Sequence, residues 1–276
     1  MKENMFYICY GCYPSLFSKI IANLLVIKKM PVNKIIVSRR NISIENHEIS
    51  GGKGVLFLFK RFTIRYVLFQ TVVELILSIG LKIYFKKKGL HLFSLKELCK
   101  HYHIQYIESN DFNRDVNTIG QIDVFVSMCL DQILREDFIK KTKKLCINIH
   151  PSEIPNFGGV EPIIQQVITN QKKMGISVHK ITPNIDNGEV INRTYVEIKQ
   201  YSYYKLMCLF IINGIKLIEE LYHNNWTYKS KQQIALTYPY RSWPTKMELH
   251  DYEAKHNYIE WNELINYKIW NNIIDK

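Results

Sequence analysis

Leu145-Cys146-Ile147-Asn148-Ile149-His150-Pro151-Ser152 is the stretch from which the rest of this 276-residue chain can be read. Leu145 to Ile147 has the character of a buried strand. Asn148 and His150, two residues apart, share one side of an extended segment. Pro151, Pro155 and the pair Gly158-Gly159 then interrupt regular structure. A polar pair is therefore delivered at a strand end, onto a loop, where open α/β sheets keep their chemistry. Further on, Asp186-Asn187-Gly188 sets an acid in a turn between an apolar run and another short strand. Asn, His and Asp together can polarise a carbonyl and handle one proton, with no nucleophile required.

Outward from this stretch, strands and helices alternate. Strands are expected at 6–10, 34–37, 104–107, 123–127, 145–149, 176–181 and 190–198. Helices are expected at 14–28, 133–140, 162–170 and 203–222. Ser94 with Glu97 three residues later predicts a helix start. Residues 39–54 are polar, carry two adjacent glycines and read as a loop. The repeating units imply an α/β fold with a parallel, doubly wound sheet. Residues 1–200 are expected to form the catalytic domain, with a helical insertion at about 55–90. Residues 201–276 are expected to add a C-terminal helix and an aromatic extension.

Composition is 47% hydrophobic and 22% charged, enough for a sizeable core and against global disorder. The net charge of +12 fits a chain rich in Lys, Ile and Asn, and permits an anionic partner. Of six cysteines, Cys9 and Cys12 form a C-x-x-C, but no second ligand pair has zinc spacing, so no metal is expected. The N-terminal residues open directly into a strand without a signal-peptide pattern, which points to the cytoplasm. Tyr66 to Phe85 is the longest apolar run. Gln70, Glu74, Ser78 and Lys82 recur in it every four residues and form one polar stripe. That pattern predicts an amphipathic helix, docked on the protein's own core or a dimer partner. The alternative is a membrane face, aided by Lys60, Arg61, Arg65 and Lys86-Lys87-Lys88.

Asn148-x-His150-x-Ser152, followed by Ile154-Pro155, Gly158-Gly159 and Pro162, resembles the catalytic loop of the N10-formyltetrahydrofolate-dependent formyltransferases. Gly175-Ile-Ser177-Val-His179 and Asp186-Asn-Gly188-Glu-Val-Ile191 resemble the family's later segments, and Asp186 stands 38 residues after Asn148, as in that family. The resemblance implies a Rossmann-like, mostly parallel sheet. It also implies transfer of a formyl group from N10-formyltetrahydrofolate, as co-substrate and without metal, to a primary amine. Asn148, His150 and Asp186 would be catalytic. Met128, Leu130, Ile133, Leu134, Ile181 and Ile185 would border the folate, largely through backbone groups. Ser152, Gly159 and Gly188 would shape the loops.

There are departures. Gly158 replaces the family's cation before the loop glycine, and Tyr10-Gly-Cys-Tyr-Pro14 replaces a phosphate-binding glycine loop. Both point away from a ribonucleotide acceptor. An amino sugar, free or nucleotide-linked, is the first reading. Methionyl-tRNA is the second, and a non-catalytic, membrane-associated protein that kept the fold is the third.

Overall fold

The computed structural model describes residues 5–40, 43–44, 47–49, 51–87, 94–232, 234–265 and 270. Strand β1 (Ile8–Cys12) leads into helix α1 (Leu16–Ile27) and β2 (Val32–Ser38). A small hairpin, β3 (Ser43–Ile44) and β4 (His47–Glu48), precedes α2 (Gly51–Arg61). The sequence reading made 39–54 a loop throughout. The hairpin and the start of α2 correct it, because glycines in a first helical turn break no intrahelical bond.

A continuous run of 24 helical residues follows, Ile64–Lys87. It consists of α3 (Ile64–Leu68), a π-helical turn at Phe69–Val73, and α4 (Glu74–Lys87). Residues 88–90 of the expected insertion, Lys88 among them, lie outside the described residues. Then come α5 (Leu95–His101), capped by Ser94, β5 (Gln105–Ser109), α6 (Val116–Ile119), β6 (Ile122–Ser127) and α7 (Glu136–Lys140). The carboxyl half holds β7 (Thr142–His150), α8 (Pro162–Ile168), β8 (Lys173–Lys180) and β9 (Val190–Glu197). It closes with α9 (Tyr203–His223), α10 (Lys246–Glu253) and α11 (Trp261–Ile265).

Seven strands form one sheet in the order β5-β2-β1-β6-β7-β8-β9. The first five are parallel, while β8 runs antiparallel to both β7 and β9. The order reverses between β1 and β6, which makes the carboxyl ends of these strands the natural crevice for a ligand. Strand alternation sorts side chains onto two faces. Val124, Val126, Leu145, Ile147 and Ile149 enter the main core beneath α1 and α9, and Phe125 and Cys146 enter a smaller core with Leu134 and Phe138. Helix α9 belongs to the main core through Tyr204, Leu206, Ile211 and Ile218. Cys9 and Cys12 fall on opposite faces, one in each core, and burial pushes both thiols up. Three positions apart on a strand, they do not form one site.

Candidate active site

Asn148 and His150 are the last polar residues of β7, on the face that Cys146 leaves apolar further back. The neighbouring β6 supplies Ser127, which donates to Asn148 Oδ1 at 2.7 Å. That bond fixes which end of the amide is which, turning Nδ2 away from β6. On the other side, the antiparallel register sets His179 of β8 directly opposite Asn148. His179 Nδ1–H donates to the Lys180 carbonyl at 2.9 Å. Its Nε2 is then an acceptor, and Asn148 Nδ2 reaches it at 3.3 Å. One of the two Nδ2 hydrogens is thus used and one remains.

Asp186 arrives from the β8–β9 connection. Its backbone is left-handed, with φ 49°, a conformation Asp tolerates better than most residues. Oδ2 accepts the Gly159 N–H at 2.8 Å. Oδ1 stands 3.8 Å from His150 Nδ1 and 3.7 Å from His179 Nε2, too long for direct hydrogen bonds. His150 Nε2 lies 3.3 Å from the Phe157 carbonyl, so Nε2–H is the donor there and Nδ1 is the nitrogen that faces the carboxylate. Asp186 Oδ1 and His150 Nδ1 are therefore two acceptors that face each other with no hydrogen between them, while His179 Nε2 beside them is already taken by Asn148 Nδ2. A group carrying several N–H bonds satisfies that arrangement, and an amine is such a group.

His179 was quoted in the sequence motif but not assigned to the site. That it faces Asn148 follows only from the antiparallel register of β8 against β7, which a pattern of alternating strands and helices does not carry. Burial, then the neighbouring His150, hold its imidazole down at about 4, against an ordinary 6.5. In the unfolded chain the ring protonates first as pH falls. The folded state therefore loses stability as pH falls from about 6.5 to about 4. Urea unfolding of a His179→Gln variant should show a correspondingly flatter decline over that window.

The loop carrying this geometry is clamped. Ser152 Oγ donates to the Asn156 carbonyl at 2.8 Å, the local bond its place in the motif suggests. Ser177 Oγ donates to the Ser152 carbonyl and accepts from Ile154 N–H. Gly159 has φ 102°, and a Cβ there would lie 1.9 Å from the Arg241 carbonyl. Gly188 is needed for a different reason from the expected turn. A Cβ on it would sit 1.7 Å from the Lys180 carbonyl, whereas the left-handed turn itself is made by Asp186.

A second clamp comes from the tail. Buried Asn156 accepts from Thr237 N–H and Tyr238 N–H at 2.6 and 2.8 Å and donates to the Ala235 carbonyl at 3.0 Å. Phe157 stacks on Tyr238 at 4.3 Å. Asn156→Ala removes three hydrogen bonds at once, and a loss of about 2–4 kcal/mol is expected in chemical denaturation. A third clamp is half-buried Glu161. It accepts from the hydroxyls of Tyr66 and Tyr203 and from Gln70, which ties the loop to α3 and α9. Burial pushes its carboxyl up.

The residues expected to border the folate divide in two. Leu130, Leu134 and Ile181 meet in the smaller core, on the same face of the sheet as Asn148. Ile133 and Ile185 expose about half of their side chains, at 53% and 44%. These apolar groups suit a flat heteroaromatic ring. Met128 is different. Its side chain is sealed in the main core and its carbonyl accepts from Tyr10 Oη at 3.2 Å. β-Strand alternation turned it to the opposite face. Among the described residues no cluster of three metal-ligating side chains occurs.

Residues 86–206 match a family model described as formyl transferase. The methionyl-tRNA formyltransferase of Pelagibacter ubique is 28% identical over 147 residues, covering 51% of this chain and 44% of that protein. The one from Alkaliphilus oremlandii is 33% identical over 90 residues, 31% of this chain and 29% of that protein. The chain spans less than half the length of these curated relatives. Among solved structures, the sugar 3N-formyl transferase WlaRD, in the presence of dTDP and 5-N-formyl-THF, superimposes with a TM-score of 0.54. Identity is 19%, over 90% of this chain and 78% of that one. Phosphoribosylglycinamide formyltransferase from Streptococcus pneumoniae TIGR4 gives 0.52 at 14% identity, over 81% of this chain and all of the other. These two likenesses establish the Rossmann-like fold. The matched segment contains Asn148, His150 and Asp186, and through it the chain is similar to the formyl transferase family.

Proposed function

We propose that this protein transfers a formyl group from N10-formyltetrahydrofolate to the primary amine of an amino sugar, free or nucleotide-linked. The observation that carries the reading is the facing pair of acceptors, Asp186 Oδ1 and His150 Nδ1, beside the spare hydrogen of Asn148 Nδ2. The folate supplies an activated formyl carbon. Asn148, oriented by Ser127 and His179, donates to the formyl oxygen as negative charge develops there. Asp186 accepts the proton that the amine sheds on attack. His150 Nδ1, 3.8 Å from that carboxylate, carries the proton on to the departing folate nitrogen and, once protonated, also donates to the oxygen. Leu130, Leu134, Ile133, Ile181 and Ile185 provide the apolar border for the pterin.

The turn between β1 and α1 bears on the acceptor. In open α/β folds this turn commonly seats a phosphate on free N–H groups. Here Tyr13 N–H goes to the Cys129 carbonyl and Ser15 N–H to the Tyr13 carbonyl, while Pro14 has none. Leu16 N–H goes to Glu74 Oε1 at 3.0 Å, and Ser18 N–H goes to Ser15 Oγ. A carboxylate of the chain itself occupies the helix start, which disfavours a ribonucleotide phosphate at that position.

The curated relatives named above are methionyl-tRNA formyltransferases, and the net charge of +12 suits an RNA, so charged initiator tRNA is the second reading. The test is release of tetrahydrofolate from N10-formyltetrahydrofolate with three acceptors: free amino sugars, dTDP- or UDP-linked amino sugars, and methionyl-tRNA. Turnover with a sugar amine supports the proposal. Turnover with the tRNA alone replaces the acceptor, and absence of both turnover and folate binding overturns the reading.

A further inference from the structure

The long helical run Ile64–Lys87 docks one face on the protein's own core, and two residues of its polar stripe are turned inward with it. Gln70 donates to half-buried Glu161, and Glu74 accepts from the first N–H of α1, while Lys82 of the same stripe is exposed. The inward face is completed by Leu77, Leu81 and Phe85, all buried in the main core. The outward face carries Ile64, Leu68, Val72, Leu75, Ile79 and Ile83, between 43% and 64% exposed. They are spaced three or four residues apart and so form a single stripe, roughly 29 Å long at the rise of an α-helix. A soluble surface helix shows water the reverse pattern, and an apolar stripe of this length marks a surface made to be covered.

The charges around the stripe identify what covers it. Residues 51–87 contain seven Lys or Arg and one acidic residue, Glu74, which is turned inward onto α1. Arg61 and Arg65 reach the tail at the Pro244 and Glu253 carbonyls. Lys53, Lys60, Lys82, Lys86 and Lys87 are exposed. A second copy of the chain would bring these cations against one another, which disfavours a symmetric pair. A spanning helix would have to withdraw Gln70, Glu74 and the six core side chains Tyr66, Val67, Phe69, Leu77, Leu81 and Phe85 from the domain. A helix lying flat keeps all of these contacts, and apolar residues rimmed by lysine match an anionic lipid surface.

We propose that the outward face of α3 and α4 docks this protein on anionic membranes, with the stripe entering the headgroup boundary and Lys82, Lys86 and Lys87 among the phosphates. The test is co-sedimentation of the full chain with vesicles of phosphatidylcholine alone, and of phosphatidylcholine with phosphatidylglycerol. Binding is expected only to the anionic vesicles and should weaken as salt is raised. Leu75→Gln with Ile79→Gln should abolish it without lowering the melting temperature, since both side chains are exposed. Lys86→Glu with Lys87→Glu should weaken it by at least about tenfold. No sedimentation with anionic vesicles overturns the proposal. So does equal, salt-insensitive binding to neutral ones. Concentration-dependent dimerisation that the Leu75/Ile79 pair abolishes also overturns it, by assigning the face to a second copy.

Discussion

Asp186→Asn is expected to lower the rate of formyl transfer by roughly 10³-fold, the scale for loss of the general base proposed at this position. The substitution is chosen to spare the structure. Asn accepts the left-handed backbone at this position, and its amide oxygen can still take the Gly159 N–H. What is lost is the negative oxygen that stands between His150 and His179. Single-turnover release of tetrahydrofolate should slow while the melting temperature moves little. Activity within tenfold of the parent would show that the amine proton goes elsewhere.

His150→Ala comes second, with an expected loss of roughly 10²–10³-fold. The ring is buried, with one nitrogen spent on the Phe157 carbonyl. In the proposed reaction its removal takes away both a donor to the reacting oxygen and the path from Asp186 to the leaving nitrogen. With the two residues serving one proton transfer, as proposed, the double variant should be no slower than the worse single one, within a few-fold. Multiplying losses would mean that His150 and Asp186 act on separate steps. Circular dichroism of each variant separates a slow enzyme from an unfolded one.

Much of the sheet could be read from residue patterns, because period-two alternation and turn residues are local signals. The strand ending in Asn148 and His150 runs one residue further at its carboxyl end than expected, which keeps both side chains on a rigid element. The inward turn of Gln70 and Glu74 had no local signal. The stripe was visible, but its direction depends on Glu161 and on the start of α1, 91 and 58 residues away in sequence. The capping box at Thr245 and Glu248 was legible and was passed over in an aromatic tail. At the site, Asn148, His150 and Asp186 came from spacing, whereas His179 needed the register of β8 against β7. Left-handed Phe157, Glu161 and Asp186 could not be foreseen, since backbone strain of this kind is imposed by surroundings.

The tail that clasps the loop has a consequence for the order of assembly. Asn156 finds its partners 79 to 82 residues downstream. As the chain grows from its amino end, β7 and its polar pair are made well before residues 235–241 exist. Loop closure over such a span comes late in folding as well. The sheet can therefore form first while the loop beside Asp186 waits for its clasp, and formyl transfer would mark a chain finished through its tail rather than one that has merely acquired its fold.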